Sequence, residues 1–553
     1  MAATDRRIGW LFLIFLALLA VAVVRTGYLA AVKGGTLRRK AAYQQVTVVT
    51  VPAPRGAILD RRGVDLAVSE PADDVSATPY LVPDPVATAR RLAPVLRRPF
   101  GQLLAALTRR NSGFAYLARS VPAATGDAVT RLRLPGISLL PVTSRDYPRR
   151  ALASQVLGTV GIDGTGLSGL EYSSNKLLQG KPGERRVTSA ATGQPIAIRD
   201  TQPATPGKSL QLTLDTAIQY RAEEILSQVG STYHPKGATA IVMDPRTGAI
   251  LAMANWPRVD ANHMASAPPY DRENRAIAFN YEPGSTFKAF TIGGALQDGL
   301  VTPDTSFDLA PQIQVADRTI HDAEARGYET MTTARILAQS SNIGAITIGL
   351  RLGRERFNAW VRQFGFGSPT GVDLPGEERG QVLPLNKYSG SSMGNLPIGQ
   401  GESVTPLQMA TAYAAIANGG ILRAPHIVGA VNGRALPLPA GRRVISARVA
   451  AELRQMLEGV LAPGGTASEV SIPGYQLAGK TGTANKVDPT TGTYSTSAYV
   501  ASFVGFAPAR HPQLLVSVMA DEPQGAIYGG TVAAPAFGQI MSFALPYLGI
   551  APR

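Results

Sequence analysis

The sequence predicts an α+β protein built on one mainly antiparallel sheet, preceded by a separate N-terminal apolar span. Three observations carry that reading. GATAIVMDPRTGAILAMAN reads as two strands around a turn-rich Asp244-Pro245-Arg246-Thr247-Gly248 connection, and YQLAGKTGTA, AYVASFVGFAP and QLLVSVMA supply three more strand candidates near the C-terminus. The stretch between them reads as mostly helical, so the early pair and the late three are expected to share a sheet covered by helices, with a helical insertion. The third is IGWLFLIFLALLAVAVV, residues 8–24, seventeen residues without a charge.

With 553 residues, 45% hydrophobic and 17% charged, the chain can form two or three domains with real cores and is not a disordered tail. It has no cysteine, which excludes disulfides, thiolate metal sites and a thiol nucleophile. The five histidines (His234, His263, His321, His426, His511) are scattered without a His-x-x-x-His pair, so no metal site is expected. The net charge of +15 is uneven: residues 1–200 hold 27 Lys+Arg against 13 Asp+Glu, whereas the rest hold 27 against 26. A basic N-terminal third suits anionic lipid head groups or wall polymers, an attraction that salt weakens, and no nucleic-acid partner is expected.

In chain order, Ile8–Val24 is bounded by Arg6 and Arg7 before and Arg25 after. At ~1.5 Å per residue it just crosses a thin hydrocarbon layer. Trp10 and Tyr28 lie where interfacial aromatics are expected. Ala20-Val21-Ala22 looks like a signal-peptide cleavage site, but it lies inside the run, so a retained anchor is expected. Lys and Arg number two before the span and five after it (Arg25, Lys33, Arg38, Arg39, Lys40), which taken alone would place the N-terminus outside. Extended runs at 46–52 and 55–63 and an Arg-rich helix in ATARRLAPVLRR follow, and TQPATPGKS, 201–209, marks a domain boundary. LTLDTAIQYRAEEILSQV then opens the second part as a helix, with Ala217, Tyr220, Ile225 and Val229 at helical spacing, and a final helix is expected over about Pro535–Leu545.

Serine chemistry without a nearby histidine needs another proton acceptor, and a lysine serves where its surroundings lower its pKa. In YEPGSTFKAFTIGGALQDG, Pro283-Gly284 leads in and Gly299 offers a stop, which places Ser285 in the first turn of a helix with Lys288 on the same face. The helix N-terminus favours negative charge developing at an attacked carbonyl. A lone Ser-x-x-Lys is weak evidence, and the chain has a decoy in Ser173-Ser174-Asn175-Lys176, read as helix surface. The weight comes from order: Ser340-Ser341-Asn342 follows 55 residues after Ser285, and Lys480-Thr481-Gly482-Thr483 begins 138 residues after Asn342.

With these motifs the chain resembles the penicilloyl-serine transferases, and among them the class B penicillin-binding proteins. RAIAFNYEPGSTFK, LPIGQGESVTPLQMA, SFVGFAPA and YGGTVAAPAFGQI look like that family's catalytic domain, and PRGAILDRRGVDLA, RDYP and GLSGLEYSSNKLLQGKPG like its non-catalytic pedestal. The resemblance implies a five-stranded antiparallel sheet flanked by helices, an elongated mixed α/β pedestal and one transmembrane helix. The expected division is a cytoplasmic tail at 1–7, an anchor at 8–24, a pedestal of dimerisation type at 25–205 and a transpeptidase domain at 206–553. It implies a peptidoglycan D,D-transpeptidase in which Ser285 attacks the penultimate D-Ala of a stem peptide and Lys288 is the base. Ser340 would relay a proton to the leaving amine, and Asn342 would orient Lys288. Lys480 would add positive potential. Thr481, Gly482 and Thr483 would bind substrate, with the terminal carboxylate on the two threonines, and the Ser285 and Thr483 N–H groups would form the oxyanion hole. It further implies no cofactor and covalent inhibition by β-lactams. Implied partners are the membrane, a polytopic SEDS-family glycosyltransferase and other division or sporulation proteins. The catalytic domain would lie outside the cell membrane, the reverse of what the flanking charges suggest.

Other readings stay open at this level. A D,D-carboxypeptidase or β-lactam-hydrolysing relative shares the acylating serine, but no obvious Glu-x-x-Leu-Asn deacylating element is present. A β-lactam sensor and an inactive wall-synthesis scaffold are further alternatives, and a bifunctional enzyme with its own glycosyltransferase is disfavoured because the residues ahead of the linker look like pedestal. Gly399-Gln400-Gly401 reads as a backbone turn near the site.

Overall fold

A computed structural model describes residues 2–33, 35, 46–109, 112–189, 195–488 and 490–552; Arg38, Arg39 and Lys40 of the charge count lie outside them. The first helix, α1 (Ala2–Ala31), is apolar and long enough to cross a membrane over Ile8–Ala31. It therefore runs seven residues past the expected end of the span, through Arg25.

The chain forms two compact units: 1–54 with 71–143 and 180–207, and 55–70 with 144–179 and 208–553. Within TQPATPGKS the chain passes from the first unit to the second at Gly207–Lys208, and 55–70 and 144–179 pack with the second unit. In the first unit, Val46–Val51, Gly183–Ser189 and Pro195–Gln202 pair in an antiparallel sheet. A helix over Pro85–Leu96 starts where Asp84 accepts from the Ala87 N–H at 2.9 Å, and its Leu92 joins Val75, Leu103, Leu107 and Val129 in a small core.

The second unit is organised by five strands: β1 (Gly237–Met243), β2 (Ile250–Trp256), β3 (Ala478–Val487), β4 (Tyr494–Ala507) and β5 (Leu514–Asp521). Their order is β2-β1-β5-β4-β3, antiparallel throughout, as the sequence implies. The β1–β2 turn closes through the Gly248 N–H to the Asp244 carbonyl at 2.9 Å, and the Asp244 carboxylate accepts from the Arg246 N–H, also at 2.9 Å. Strand alternation divides β1 between two cores: Ala238, Ala240 and Val242 face one, Ile241 and Met243 the other. The first core is closed by α2 (Thr216–Tyr233) and by the last helix of the chain. The second is filled by α3 (Lys288–Gln297), α4 (Asn342–Leu352) and α5 (Pro406–Ala417).

Two expectations shift. The buried face of α2 is Ile218, Ala222, Ile225, Leu226 and Val229, whereas Tyr220 is exposed and Ala217 only partly buried. Asp215 caps the helix through the Ala217 and Ile218 N–H groups, and the apolar stripe that begins at Ile218, not Ala217, sets the buried face. The last helix, α6, covers Gly529–Tyr547 and so begins six residues before Pro535. Proline removes one helical N–H, but Val532, Ala533 and Ala534 ahead of it are buried, and that packing holds the turn.

The three pedestal-like motifs meet inside the second unit. Glu171, fully buried, accepts from Arg55 Nε at 2.5 Å and Arg145 Nε at 2.7 Å, and the Tyr147 hydroxyl reaches it at 3.4 Å. Arg55 also donates to the Glu171 carbonyl at 2.7 Å and Arg145 to the Gly56 carbonyl at 2.9 Å. One carboxylate thus holds two buried guanidinium groups from distant segments. Glu171→Gln leaves both without a counter-charge, and we expect the chain to lose about 3–5 kcal/mol of stability, read as a fall in thermal midpoint.

Candidate active site

Ser285 lies in a 3₁₀ turn, Gly284–Phe287, that runs directly into α3. The turn is pinned from several sides. The Gly284 N–H donates to the Gly399 carbonyl at 3.0 Å, the Thr286 hydroxyl to the Pro283 carbonyl at 2.7 Å and the Tyr413 hydroxyl to the Thr286 carbonyl at 2.7 Å. Phe287 and Phe290 pack against each other and Phe366, with ring centroids 5.0–5.4 Å apart. Gly284 has φ +55°, and a Cβ there would lie 2.9 Å from the Thr483 carbonyl oxygen, so the nucleophile turn is pressed against β3 where only glycine fits. Gly399-Gln400-Gly401 is the backbone turn expected: Gly399 accepts from Gly284, and the Gly401 N–H donates to Glu282 at 3.0 Å.

Lys288 is fully buried. Its Nζ lies 2.6 Å from the Ser340 carbonyl, 2.7 Å from Asn342 Oδ1 and 3.2 Å from Ser340 Oγ. Burial pushes its pKa down to about 7; the Asp322 carboxylate pulls the other way, and Arg326 lowers it further. A neutral amine has two N–H bonds and one lone pair, and the two close acceptors occupy the N–H bonds, which leaves the lone pair for a hydroxyl proton. Ser285 is half-buried, and its Oγ has no hydrogen-bond partner among the described residues.

Ser340 adopts φ +59°, a left-handed conformation costing a non-glycine residue roughly 1–2 kcal/mol. Its carbonyl is one of the two short contacts to Lys288. Asn342 begins α4, and its Nδ2 donates to the His321 carbonyl at 2.9 Å, which leaves Oδ1 for the amine. Asp322, a residue the motif reading does not include, ties this corner together. Its carboxylate accepts from the Ser341 hydroxyl at 2.9 Å, the Ile343 N–H at 3.1 Å and the Asn342 N–H. It therefore sits on the N-terminus of α4, where negative charge is favoured. Arg326 faces it at 3.7 Å and holds Gln339 through two 3.0 Å hydrogen bonds. The sequence signal available was only His321-Asp322 lying 19 residues before Ser341.

Strand β3 forms the other wall. Lys480 is fully buried, and its pKa is held well below the ordinary lysine value by burial and then by the charge of Lys288. Its Nζ lies 3.2 Å from the Thr481 carbonyl and hydroxyl. Thr481 Oγ1 meets Thr466 Oγ1 at 2.7 Å, and Thr483 Oγ1 accepts from the Gly529 N–H at 3.0 Å. A Cβ on Gly529 would come within 2.3 Å of the Gly482 and Ser502 carbonyls, so α6 begins in contact with the Lys-Thr-Gly segment. β3 is the sheet edge, and the Thr483 carbonyl points off it toward Gly284; its N–H projects the same way. The Ser285 N–H belongs to the first turn of a helix, where donors have no intrahelical acceptor. The decoy Ser173 is exposed and donates to the Asp373 carbonyl at 2.9 Å, and Asn175 Oδ1 accepts from Arg55 at 2.7 Å.

Comparison with known proteins gives one answer. Residues 238–542 match the penicillin binding protein transpeptidase domain, and residues 50–212 the penicillin-binding protein dimerisation domain. The chain is 34% identical to stage V sporulation protein D of Bacillus subtilis, over 98% of this chain and 86% of that protein. It is 33% identical to the peptidoglycan D,D-transpeptidase FtsI of Escherichia coli, over 99% of this chain and 93% of that one. A crystal structure of penicillin-binding protein 3 from Mycobacterium tuberculosis complexed with ampicillin superposes with a TM-score of 0.72 at 31% identity, covering 91% of this chain and 97% of that one.

The position of Asp322 yields a prediction. Asp322→Asn removes the charge that raises the pKa of Lys288 and loosens the start of α4. Acylation by a labelled penicillin is expected to slow by about 10- to 100-fold, with the acid limb of its pH profile moved to lower pH.

Proposed function

This chain belongs to the class B penicillin-binding proteins, and from that membership we propose that Ser285, Lys288, Ser340, Asn342 and Lys480 carry out its chemistry, with Thr481, Gly482 and Thr483 binding substrate. It is a serine-type peptidoglycan D,D-transpeptidase, acting on D-Ala-D-Ala stem peptides and inhibited covalently by β-lactams. The observation that carries the residue assignment is the buried Lys288 amine, held by Ser340 and Asn342 at the end of the helix turn bearing Ser285.

In the proposed sequence, Lys288 takes the Ser285 hydroxyl proton as Oγ attacks the penultimate D-Ala carbonyl. The N–H groups of Ser285 and Thr483 stabilise the oxyanion. Ser340 Oγ, 3.2 Å from Lys288 Nζ, passes the proton to the nitrogen of the leaving D-Ala as the C–N bond breaks, and an ester remains on Ser285. An amine of a second stem peptide then attacks the ester, forms the cross-link and returns the proton through Lys288. Lys480, its proton disfavoured by burial and by Lys288, gains a counter-charge from the terminal carboxylate of the donor, which Thr481 and Thr483 hold. A carboxylate beside Lys480 favours its protonated form, and that added charge disfavours a proton on Lys288.

The division into a tail at 1–7, an anchor within α1, a pedestal and a transpeptidase domain belongs to the same proposal. So do an extracytoplasmic catalytic domain and work beside a SEDS-family glycosyltransferase and other division or sporulation proteins. The long apolar α1 supports a single-pass anchor, and the match over 50–212 supports the pedestal.

Three outcomes are expected. A labelled penicillin forms a long-lived ester on Ser285, mapped by mass spectrometry of the labelled peptide, and Ser285→Ala abolishes it; label on Ser173, or turnover as fast as a β-lactamase's, rejects the assignment. Because Lys288 must be neutral to accept a proton and its pKa is about 7, the acylation rate rises with pH through about 7 and is lost below it. Lys288→Met is expected to lower the rate by about 10²–10⁴-fold.

A further inference from the structure

A cavity of about 310 Å³, sharing no residue with the catalytic site, opens among the helix Arg354–Gln363, the loop after it, α5 and the strand pair Ile421–Arg423 and Gly441–Arg443. Three of the residues lining it are arginines: the exposed Arg362 and Arg442 and the half-buried Arg423. None forms an ion pair among the described residues, and no Asp or Glu lines the cavity. Their partners are neutral: Arg423 donates to the Pro439 carbonyl at 2.6 Å, and Arg362 to Asn358 Oδ1 at 3.2 Å and the Leu383 carbonyl at 3.4 Å. The carboxylate adjoining the lining, Glu377, is engaged by the Thr370 hydroxyl and the Thr370 and Gly371 N–H groups. Two polar groups here have no partner: the hydroxyl of Thr411, a residue 5% exposed on α5, and the buried Nε of Arg423.

Three arginines with no carboxylate among the lining residues leave the surroundings of the cavity positive, and an anion is attracted there. The number and spread of donors select the anion. A carboxylate is satisfied by one planar fork, whereas a tetrahedral oxyanion accepts from forks on several sides. Phe364 and Leu422 give the cavity an apolar wall that a bare ion does not use. We propose that this cavity binds a phosphate group carried on a small organic body.

The test uses the full chain in detergent, in phosphate-free buffer, with calorimetric titration of glycerol 3-phosphate, inorganic diphosphate, acetate and a short-chain phosphatidylglycerol. Saturable binding below ~1 mM is expected, weakened at least about tenfold in Arg423→Gln/Arg442→Gln, while a labelled penicillin still acylates Ser285 at the parent rate. That acylation shows the variant is folded; if the double variant fails it, Arg442→Gln alone, at an exposed position, serves in its place. Tightest binding of glycerol 3-phosphate assigns a polyol phosphate, and tightest binding of the phosphatidylglycerol assigns a lipid head group. The proposal is overturned if neither organic phosphate binds, if diphosphate or acetate binds as tightly as they do, or if the variant binds as well as the parent.

Discussion

A lysine amine that must be free of its proton near neutral pH is the constraint on which this structure depends. Water would keep the proton on until about pH 10.5. Burial removes it, but a buried amine without partners is itself costly, so acceptors must be brought to it from elsewhere in the chain. They come from the Ser340 carbonyl and Asn342 Oδ1, more than fifty residues downstream. The acceptors are neutral, which matters. A carboxylate in direct contact would restore the proton that burial removes. Asp322 is close enough to raise the pKa of Lys288, yet its oxygens are occupied by the start of α4 and faced by Arg326. Its charge organises the helix that carries Asn342, and the adjacent guanidinium offsets its effect on the amine.

The same geometry explains why the nucleophile turn and β3 must touch. An oxyanion pocket made of backbone donors needs two N–H groups whose own structures leave them unpaired. A helix start supplies one and a sheet edge the other. Gly284 lets the two approach, since any side chain there would meet the Thr483 carbonyl. The cost of the arrangement falls on Ser340, whose left-handed backbone is held by the elements on either side.

Much of this was legible in the sequence because it is local or ordered. Ser285 and Lys288 share a helix turn, Ser340-Ser341-Asn342 opens another, and Lys480-Thr481-Gly482-Thr483 lies on the strand read from YQLAGKTGTA. The five strands were readable for the same reason. The motif order with its family resemblance was enough to foresee convergence, though not its geometry. What was hidden depends on long-range placement. Asp322 reaches the site at the end of a hairpin, Gln312–Val315 with Arg318–His321, and no spacing rule connects it to Lys288. Thr466 and Gly529 meet Thr481 and Thr483 only through tertiary packing. The phase of α2 was misjudged because Ala217 and Tyr220 were read into an apolar stripe that Ile218, Ala222, Ile225, Leu226 and Val229 form at helical spacing. Pro535 looked like a start because proline removes a helical donor, yet burial of the preceding turn outweighs that loss.

Charge gives the complementary lesson. Summed over residues 201–553 the balance is nearly neutral, which drew attention to the basic first 200 residues. Yet this balanced part contains two places where positive groups stand without negative partners. One is the pair of buried lysines, where burial lowers the hold of each amine on its proton, because lysine can deprotonate within reach of physiological pH. The other is the trio Arg362, Arg423 and Arg442, where that escape is closed, because a guanidinium keeps its proton in any protein environment. Arginines left unpaired must stay in water or meet an anion. The half-buried Arg423, with its Nε cut off from solvent and from any acceptor, has only part of the first option. Identical formal charge thus has opposite chemical meaning in the two places: in the cleft it produces a base, and in the cavity it calls for a ligand.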